Sequence, residues 1–343
     1  MTDFIPAFDF HRVFVEPWTQ SASNFAWIMV MGFLVTTACG LVGNYLILRR
    51  MALVGDAISH SVLPGLAVAF LLSRSRGSVA MFIGALGAGI LTTVIIEMIH
   101  KKTRVKQDAA IGIAFSTLFA IGVILISLFA DKVDLDQDCV LYGEIAFVPL
   151  EPFSTLAGIS LGPPSVVRMA LITLLTILAI ALFYKELLVS SFDSGLAESM
   201  GIRAPVVHYG LMALLSVVVV SAFESAGAIL VIAMLIIPGA TASLLSTRLP
   251  TILFLSVLHA ALSSFLGIHL AVWLDCSMAG AMVVMAAVFF CLAWIFSPSQ
   301  GLLQRVMCSR DDFTQLNETQ TQHEHDGGGT KVNPSSNRRK QPR

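Results

Sequence analysis

Apolar runs about as long as a bilayer is thick recur along this chain, and no other property restricts its fold so severely. A segment of about 20 apolar residues crosses a hydrocarbon core of about 30 Å as a helix. Nine such segments are read, at 26–48, 53–72, 79–99, 109–130, 168–187, 207–223, 226–246, 251–274 and 278–296. Eight is the alternative, because 207–246 is almost continuous and its break is weak. Inside lipid every backbone N–H and C=O must be paired within the protein, which leaves helices or a closed barrel. These runs are about twice the length of a barrel strand. The expected fold is therefore all-α, a polytopic membrane helix bundle. With 56% hydrophobic and 13% charged residues, and a mean hydropathy of +0.82, the chain has too little polar surface for a water-soluble domain of its size.

Basic residues set the expected orientation. With the N-terminus outside, the cytoplasmic connections carry Arg49, Arg50, Lys101, Lys102, Arg104, Lys106, Lys185, Arg203 and Arg248, and the outer side keeps Arg12, Arg74, Arg76, Lys132 and Arg168. The positive-inside tendency favours that arrangement, N-terminus out and C-terminus in. The chain divides into an outer segment 1–25, with Phe14 and Trp18 placed to rest at the interface, a membrane domain 26–303 and a cytoplasmic tail 304–343. The outer segment lacks a basic start followed by an apolar core, so no cleavable signal peptide is expected. The tail is rich in Gln, Asn, Thr, Gly and Arg and is expected to be disordered. A formal net charge of −1 gives no reason to expect a nucleic-acid partner.

Ionisable groups inside spans are costly and mark function by default. Asp56 and His60, in GDAISHSVLPG, stand at i and i+4 on one helix face, so an oxygen and an imidazole nitrogen can converge on one ion. That donor pair suits Mn²⁺, Fe²⁺ or Zn²⁺ better than Ca²⁺. An intrahelical hydrogen bond that only neutralises both groups explains the pair equally well. Pro64-Gly65 follows, and proline should kink the helix and bare carbonyls beside the pair. Glu224 stands at the break near 223–228 and is a third candidate for a translocation path. Simple counting puts it near the outer end of its span and Asp56 and His60 in the inner half of theirs, so a joint site requires the break to dip inward. His259 and His269 read as packing residues, His208 as interfacial, and Glu97 as a partner of Lys101 or Arg104.

Two connections and the tail are distinctive. The outer one, about 131–167, opens with Asp131, Asp134, Asp136 and Asp138. The cytoplasmic one, about 186–206, fits a short helix capped by Asp193 or Ser194 and ended at Gly201, with Leu196, Ala197 and Met200 on one face. Such a helix can dock a cytoplasmic partner or rest on headgroups. In the tail, His323-Glu324-His325-Asp326 is a weak metal-binding candidate.

No G-x-x-x-x-G-K-[ST] loop occurs, so ATP chemistry requires another subunit. Neither G-x-S-x-G nor H-E-x-x-H occurs, and a membrane protease lacks its usual tools. The order of motifs resembles a known family. Arg49 to Gly55 running into DAISHSVLPG, Asp108 to Ile113, Leu141-Tyr142-Gly143-Glu144, Ser191 to Ile202, Gly227 to Pro238 and Ser297 to Leu303 are similar to the permease subunits of metal-type ABC importers. The resemblance covers about 26–303. It implies a type II importer permease of eight or nine helices in the bacterial plasma (inner) membrane. It further implies that the chain is a transporter subunit, not an enzyme, with no permanently bound cofactor. The cargo would be a divalent ion, Mn²⁺ or Fe²⁺ before Zn²⁺. Implied partners are a cytoplasmic ATP-binding subunit, a second permease (the same chain or a paralogue) and an outer metal-binding protein. The family's gating ligands would fall on Asp56, His60 and Glu224, and its coupling helix on 193–202 with Asp193, Ala197 and Gly201. The rival expectation is a proton-coupled secondary metal carrier that works without an ATPase, with Asp56 and Glu224 as ligands.

Overall fold

In the computed structural model, residues 6–73, 78–129, 145–156 and 159–297 are described. The elements are α1 (Glu16–Gln20), α2 (Ala22–Leu48), α3 (Val54–Ser73), α4 (Ser78–Lys102), α5 (Gln107–Phe129), β1 (Ser154–Leu156), β2 (Ile159–Gly162), α6 (Pro164–Leu182), α7 (Tyr184–Phe192), α8 (Ser194–Ser199), α9 (Ala204–Ala226), α10 (Ala228–Leu245), α11 (Leu249–Leu274) and α12 (Met278–Phe296). Short helical turns at His11–Val15 and Ile145–Leu150 complete them. Met1–Ala293 is one compact unit; of the other, Trp294–Arg343, the described residues are the last turn of α12 and Ser297. The acidic stretch 131–138, the Tyr142-Gly143-Glu144 motif and the tail lie outside the described residues.

The all-α expectation holds, with one antiparallel hairpin of β1 on β2 as the only sheet among the described residues. Eight helices there are long and apolar enough to cross a membrane: α2 to α6, α9, α11 and α12. The ninth expected span is α10, whose 18 residues reach about 27 Å at 1.5 Å per residue, just short of a hydrocarbon core. Its break from α9 is the single residue Gly227, at φ 79° and ψ 164°. That conformation is essentially restricted to glycine, so the chain can reverse there without a loop.

Helix α2 sits at the centre, packed by α6, α9, α10 and α11, while α3 packs on α4 and α5. Sixty-one per cent of the most apolar windows of α2 and of α3 is buried, against 28% for α5 and α12, so the latter are peripheral in this chain. Close crossings use small residues, as membrane packing requires. A Cβ on Gly65 would stand 2.2 Å from the Gly84 carbonyl oxygen, and one on Gly43 would strike the Leu235 carbonyl. Buried Asn44 donates to the Gly40 carbonyl at 2.7 Å and to Ser256 Oγ at 3.0 Å, which ties α2 to α11.

Most spans keep their expected place with ends shifted by a few residues, and the start of α6 is the instructive case. Helix α6 starts at Pro164 rather than 168, because Pro164 falls at the first helical position, where a missing N–H costs nothing. Pro64 lies inside α3, as the expected span 53–72 requires. Its ring lies on Gly122 of α5, where a Cβ would come within 2.8 Å of Pro64 Cδ. The N-terminal segment also packs on protein. Phe14 stacks on His269 with centroids 4.6 Å apart, Trp18 Nε1 donates to His269 Nε2 at 3.2 Å, and Trp273 Nε1 donates to the Pro6 carbonyl at 3.0 Å.

Candidate functional site

A tight turn delivers Asp56 to its place. The N–H of Met51 bonds the Leu46 carbonyl at 2.8 Å and that of Arg50 bonds Ile47 at 3.0 Å, the paired bonds of a Schellman ending, with Arg50 left-handed at φ 59°. The Val54 N–H then bonds the Met51 carbonyl at 3.1 Å, and α3 begins. Asp56 falls in its first turn, where the helix N-terminus favours a carboxylate.

His60 lies one turn further on. Its Nε2 is 3.2 Å from Asp56 Oδ1, and both side chains are 36% exposed while most of α3 around them is buried. The rings of Phe115 and Phe119 of α5 stand beside the imidazole, with centroids 6.0 and 6.3 Å away. Other polar groups of this helix are occupied: Ser59 Oγ bonds the Gly55 carbonyl, and Ser61 Oγ bonds Ala57 and the hydroxyl of Thr92. Pro64 has no N–H to offer the His60 carbonyl, so an additional oxygen is released from the helical ladder at the same place. Two ligands about 2.1 Å from one ion and 3.2 Å apart subtend roughly 100° at it, an ordinary angle between neighbouring ligands. The pair as it stands is also an adequate intrahelical hydrogen bond.

Glu224 is placed elsewhere. Its Oε1 meets Arg168 Nη1 at 3.1 Å, Arg168 Nη2 reaches Ser225 Oγ at 3.4 Å, and the guanidinium lies over the Phe82 ring. Helix α9 stays regular through Ala226, so the break at Gly227 comes after Glu224 and does not carry it toward α3. His208, near the other end of α9, bonds Arg49, and Glu224 is about 24 Å further along that helix axis. Among the described residues no three His, Cys, Asp or Glu side chains converge as a metal cluster. The structure thus joins Asp56 to His60 and leaves Glu224 with Arg168.

The expected short helix is α8. Asp193 caps it, its Oδ1 accepting from the N–H groups of Gly195 at 2.8 Å and Leu196 at 3.1 Å. Gly201 closes it at φ 80°, with the Ile202 N–H on the Ala197 carbonyl at 2.9 Å. Ala197 is fully buried whereas Leu196 and Met200 are exposed, so these three do not share a face as the spacing had predicted. Asp193, Ala197 and Gly201 shape the helix; Leu196, the C-cap Met200 and Phe192 at the end of α7 are the exposed apolar side chains around it.

His259 is buried, with Nε2 donating to the Ala286 carbonyl at 3.3 Å, a packing role as expected. Sequence reasoning missed the long-range partners. Glu97 meets Lys101 as its i, i+4 spacing announced, but also His208. No local pattern connects residues so distant in the chain.

The profile of the ABC 3 transport family matches residues 21–297, nearly the whole described membrane portion. The chain belongs to this family. It is 44% identical over 280 residues to the manganese transport system membrane protein MntD of Bacillus subtilis, covering 82% of this chain and 94% of that one. Over 283 residues it is 44% identical to the zinc transport system membrane protein TroD of Treponema pallidum, covering 82% and 77% respectively. Among solved structures, PsaBC from Streptococcus pneumoniae in complex with Fab superposes with a TM-score of 0.69 at 34% identity, covering 85% of this chain and 98% of that one. Membership agrees with the resemblance read from the motifs and with a multi-pass membrane bundle.

Proposed function

We propose that this chain is the membrane permease of an ATP-driven importer of divalent transition-metal ions, with manganese the favoured cargo and iron or zinc the alternatives. The reading rests above all on Asp56 and His60, a hard oxygen and an imidazole nitrogen 3.2 Å apart and half-exposed within a membrane helix of an ABC 3 family member. Relatives named for manganese support the cargo, although one is named for zinc. Intrinsic affinity favours zinc over manganese at such donors, so selection would fall to the protein that delivers the ion. Two ligands cannot enclose an ion, which suits a site that must release it and leaves room for a second permease, the same chain or a paralogue, to add donors. The other partners in this reading are a cytoplasmic ATP-binding subunit and an outer metal-binding protein. The N-terminus would be outside and the basic end of the bundle cytoplasmic.

ATP-driven closure of the partner subunits would push α8, shift the helices around Asp56 and His60, and pass the ion inward. The exposed side chains of Phe192, Leu196 and Met200 are the natural contact, set on and just before a helix that Asp193, Ala197 and Gly201 hold in shape. Leu196→Asp is expected to weaken ATPase attachment by about 30-fold, the scale of losing one interface anchor of about 2 kcal/mol. Co-purification of the ATPase with the permease reads this directly, and attachment at the parental level would remove α8 from the interface.

Reconstitution of the permease pair with its ATPase in proteoliposomes, supplied with the outer metal-binding protein, tests the function. Manganese uptake should require ATP and persist without a proton gradient. Uptake driven by a proton gradient with no ATPase present would establish the secondary-carrier alternative instead.

A further inference from the structure

Four stretches far apart in sequence meet at the end of the bundle that carries Arg49. The Arg49 guanidinium donates three ways: Nε to Ser191 Oγ at 3.1 Å, Nη2 to Ser190 Oγ at 2.9 Å, and Nη1 to His208 Nδ1 at 3.1 Å. A guanidinium can only donate, so Nδ1 must accept, and the proton of the neutral ring sits on Nε2. That proton faces Glu97 Oε2 at 3.2 Å, while Glu97 Oε1 holds Lys101 Nζ at 2.6 Å. The ring is therefore a directional bridge, an acceptor toward the cation and a donor toward the carboxylate. Glu97 is buried and Arg49 partly so, and burial lowers the guanidinium's pKa from its ordinary value. A partner withdrawn from such a network leaves a costly charge behind, so its members are driven to move together.

Position gives the bridge its meaning. Ser190 and Ser191 lie in the last turn of α7, directly before the Asp193 cap of α8. Arg49 is the C-cap within the Schellman ending of α2, after which the chain turns into α3 and reaches Asp56. His208 stands early in α9 and Glu97 near the end of α4. Hydrogen-bonded side chains thus connect the segment leading into α8 with the turn before the metal-ligand pair, in a continuous physical network of the kind able to carry coupling.

We propose that the Arg49–His208–Glu97 bridge, fastened to the α7–α8 segment by the bonds of Arg49 to Ser190 and Ser191, is a positioning device that transmits displacement of that segment to the α2–α3 turn, and so links ATP turnover to the exposure of Asp56 and His60. The proposal rests on the importer reading above. None of the three residues is assigned to the ion itself; their role is exercised through the helices they join.

The test uses the complete transporter, both permeases with the ATPase and the outer metal-binding protein, in proteoliposomes, with ⁵⁴Mn²⁺ uptake and ATP hydrolysis measured on the same preparation. His208→Phe removes both the acceptor and the donor. Uptake should fall by about tenfold, within the range of known coupling between sites, while hydrolysis stays within about twofold of the parent. The ATP consumed per ion then rises, a readout that simple loss of protein would not move. His208→Gln, which keeps one donor and one acceptor, should recover part of the ratio. Arg49→Gln combined with His208→Phe should be no worse than His208→Phe alone, because residues of one network are not additive.

An unchanged ATP-to-ion ratio in His208→Phe, or uptake and hydrolysis falling in parallel, would overturn the proposal. Should that variant fail to assemble, Glu97→Gln and Arg49→Lys replace it, and a parental ratio in both counts equally against the bridge. Failure of the importer reading would appear separately, as parental uptake that needs no ATP.

Discussion

Alanine at Asp56 is expected to bring metal uptake to background while the permease still assembles. Half-exposed and in the first turn of α3, the side chain contributes little to folding: about 0.3–1 kcal/mol from the helix N-terminus and its contact with His60. Its loss as a ligand is far more serious. Removing outer-shell partners of metal ligands typically costs about 10–100-fold, so removing a ligand itself from a two-donor site should cost at least about 100-fold. His60→Ala should match it, since neither donor alone can hold a cation away from water. Asp56→Asn keeps the shape and removes the charge, and it should transport poorly too. Uptake assays paired with size-exclusion profiles separate transport from assembly. Near-normal transport by either alanine variant would reduce the pair to an internal hydrogen bond.

The second large effect is expected at Gly227. Its backbone, at φ 79° and ψ 164°, is one that a residue with a Cβ enters only at a cost of about 1–3 kcal/mol. Gly227→Ala must either accept that strain or shift the reversal that joins α9 to α10. A shift propagates, because α10 lies against α2 where Gly43 admits the Leu235 carbonyl with no room to spare. The variant should show a thermal midpoint several degrees lower, at about 2–4 °C per kcal/mol for a chain of this order of size. Gly210→Ala in α9, where nothing stands within 4 Å of the added Cβ, is the matched control and should not fall. Equal midpoints for the two variants would rule out the described turn.

Much of the architecture was legible because the bilayer imposes it. Apolar length located the helices to within a few residues, and the missing start of α6 was written in Pro164, a helix-opening residue that hydropathy does not weigh. The i, i+4 spacing of Asp56 and His60 gave their contact directly, since helix geometry is local. The capping of α8 by Asp193 and its close at Gly201 were readable for the same reason. What sequence could not supply were partners decided by packing. Nothing near Glu224 announces Arg168, and nothing near His208 announces Arg49 and Glu97. Spacing put Ala197 on one face with Leu196 and Met200, but the protein covers Ala197 and leaves the other two exposed, a division that local spacing does not reveal.

The clasp of the first residues onto α11 has a practical side. Pro6, Phe14 and Trp18 grip Trp273 and His269 through two indole hydrogen bonds and a stacked ring. An affinity handle or fluorescent reporter fused ahead of them would have to leave that grip intact, and deleting through Trp18 would strip both anchors from α11.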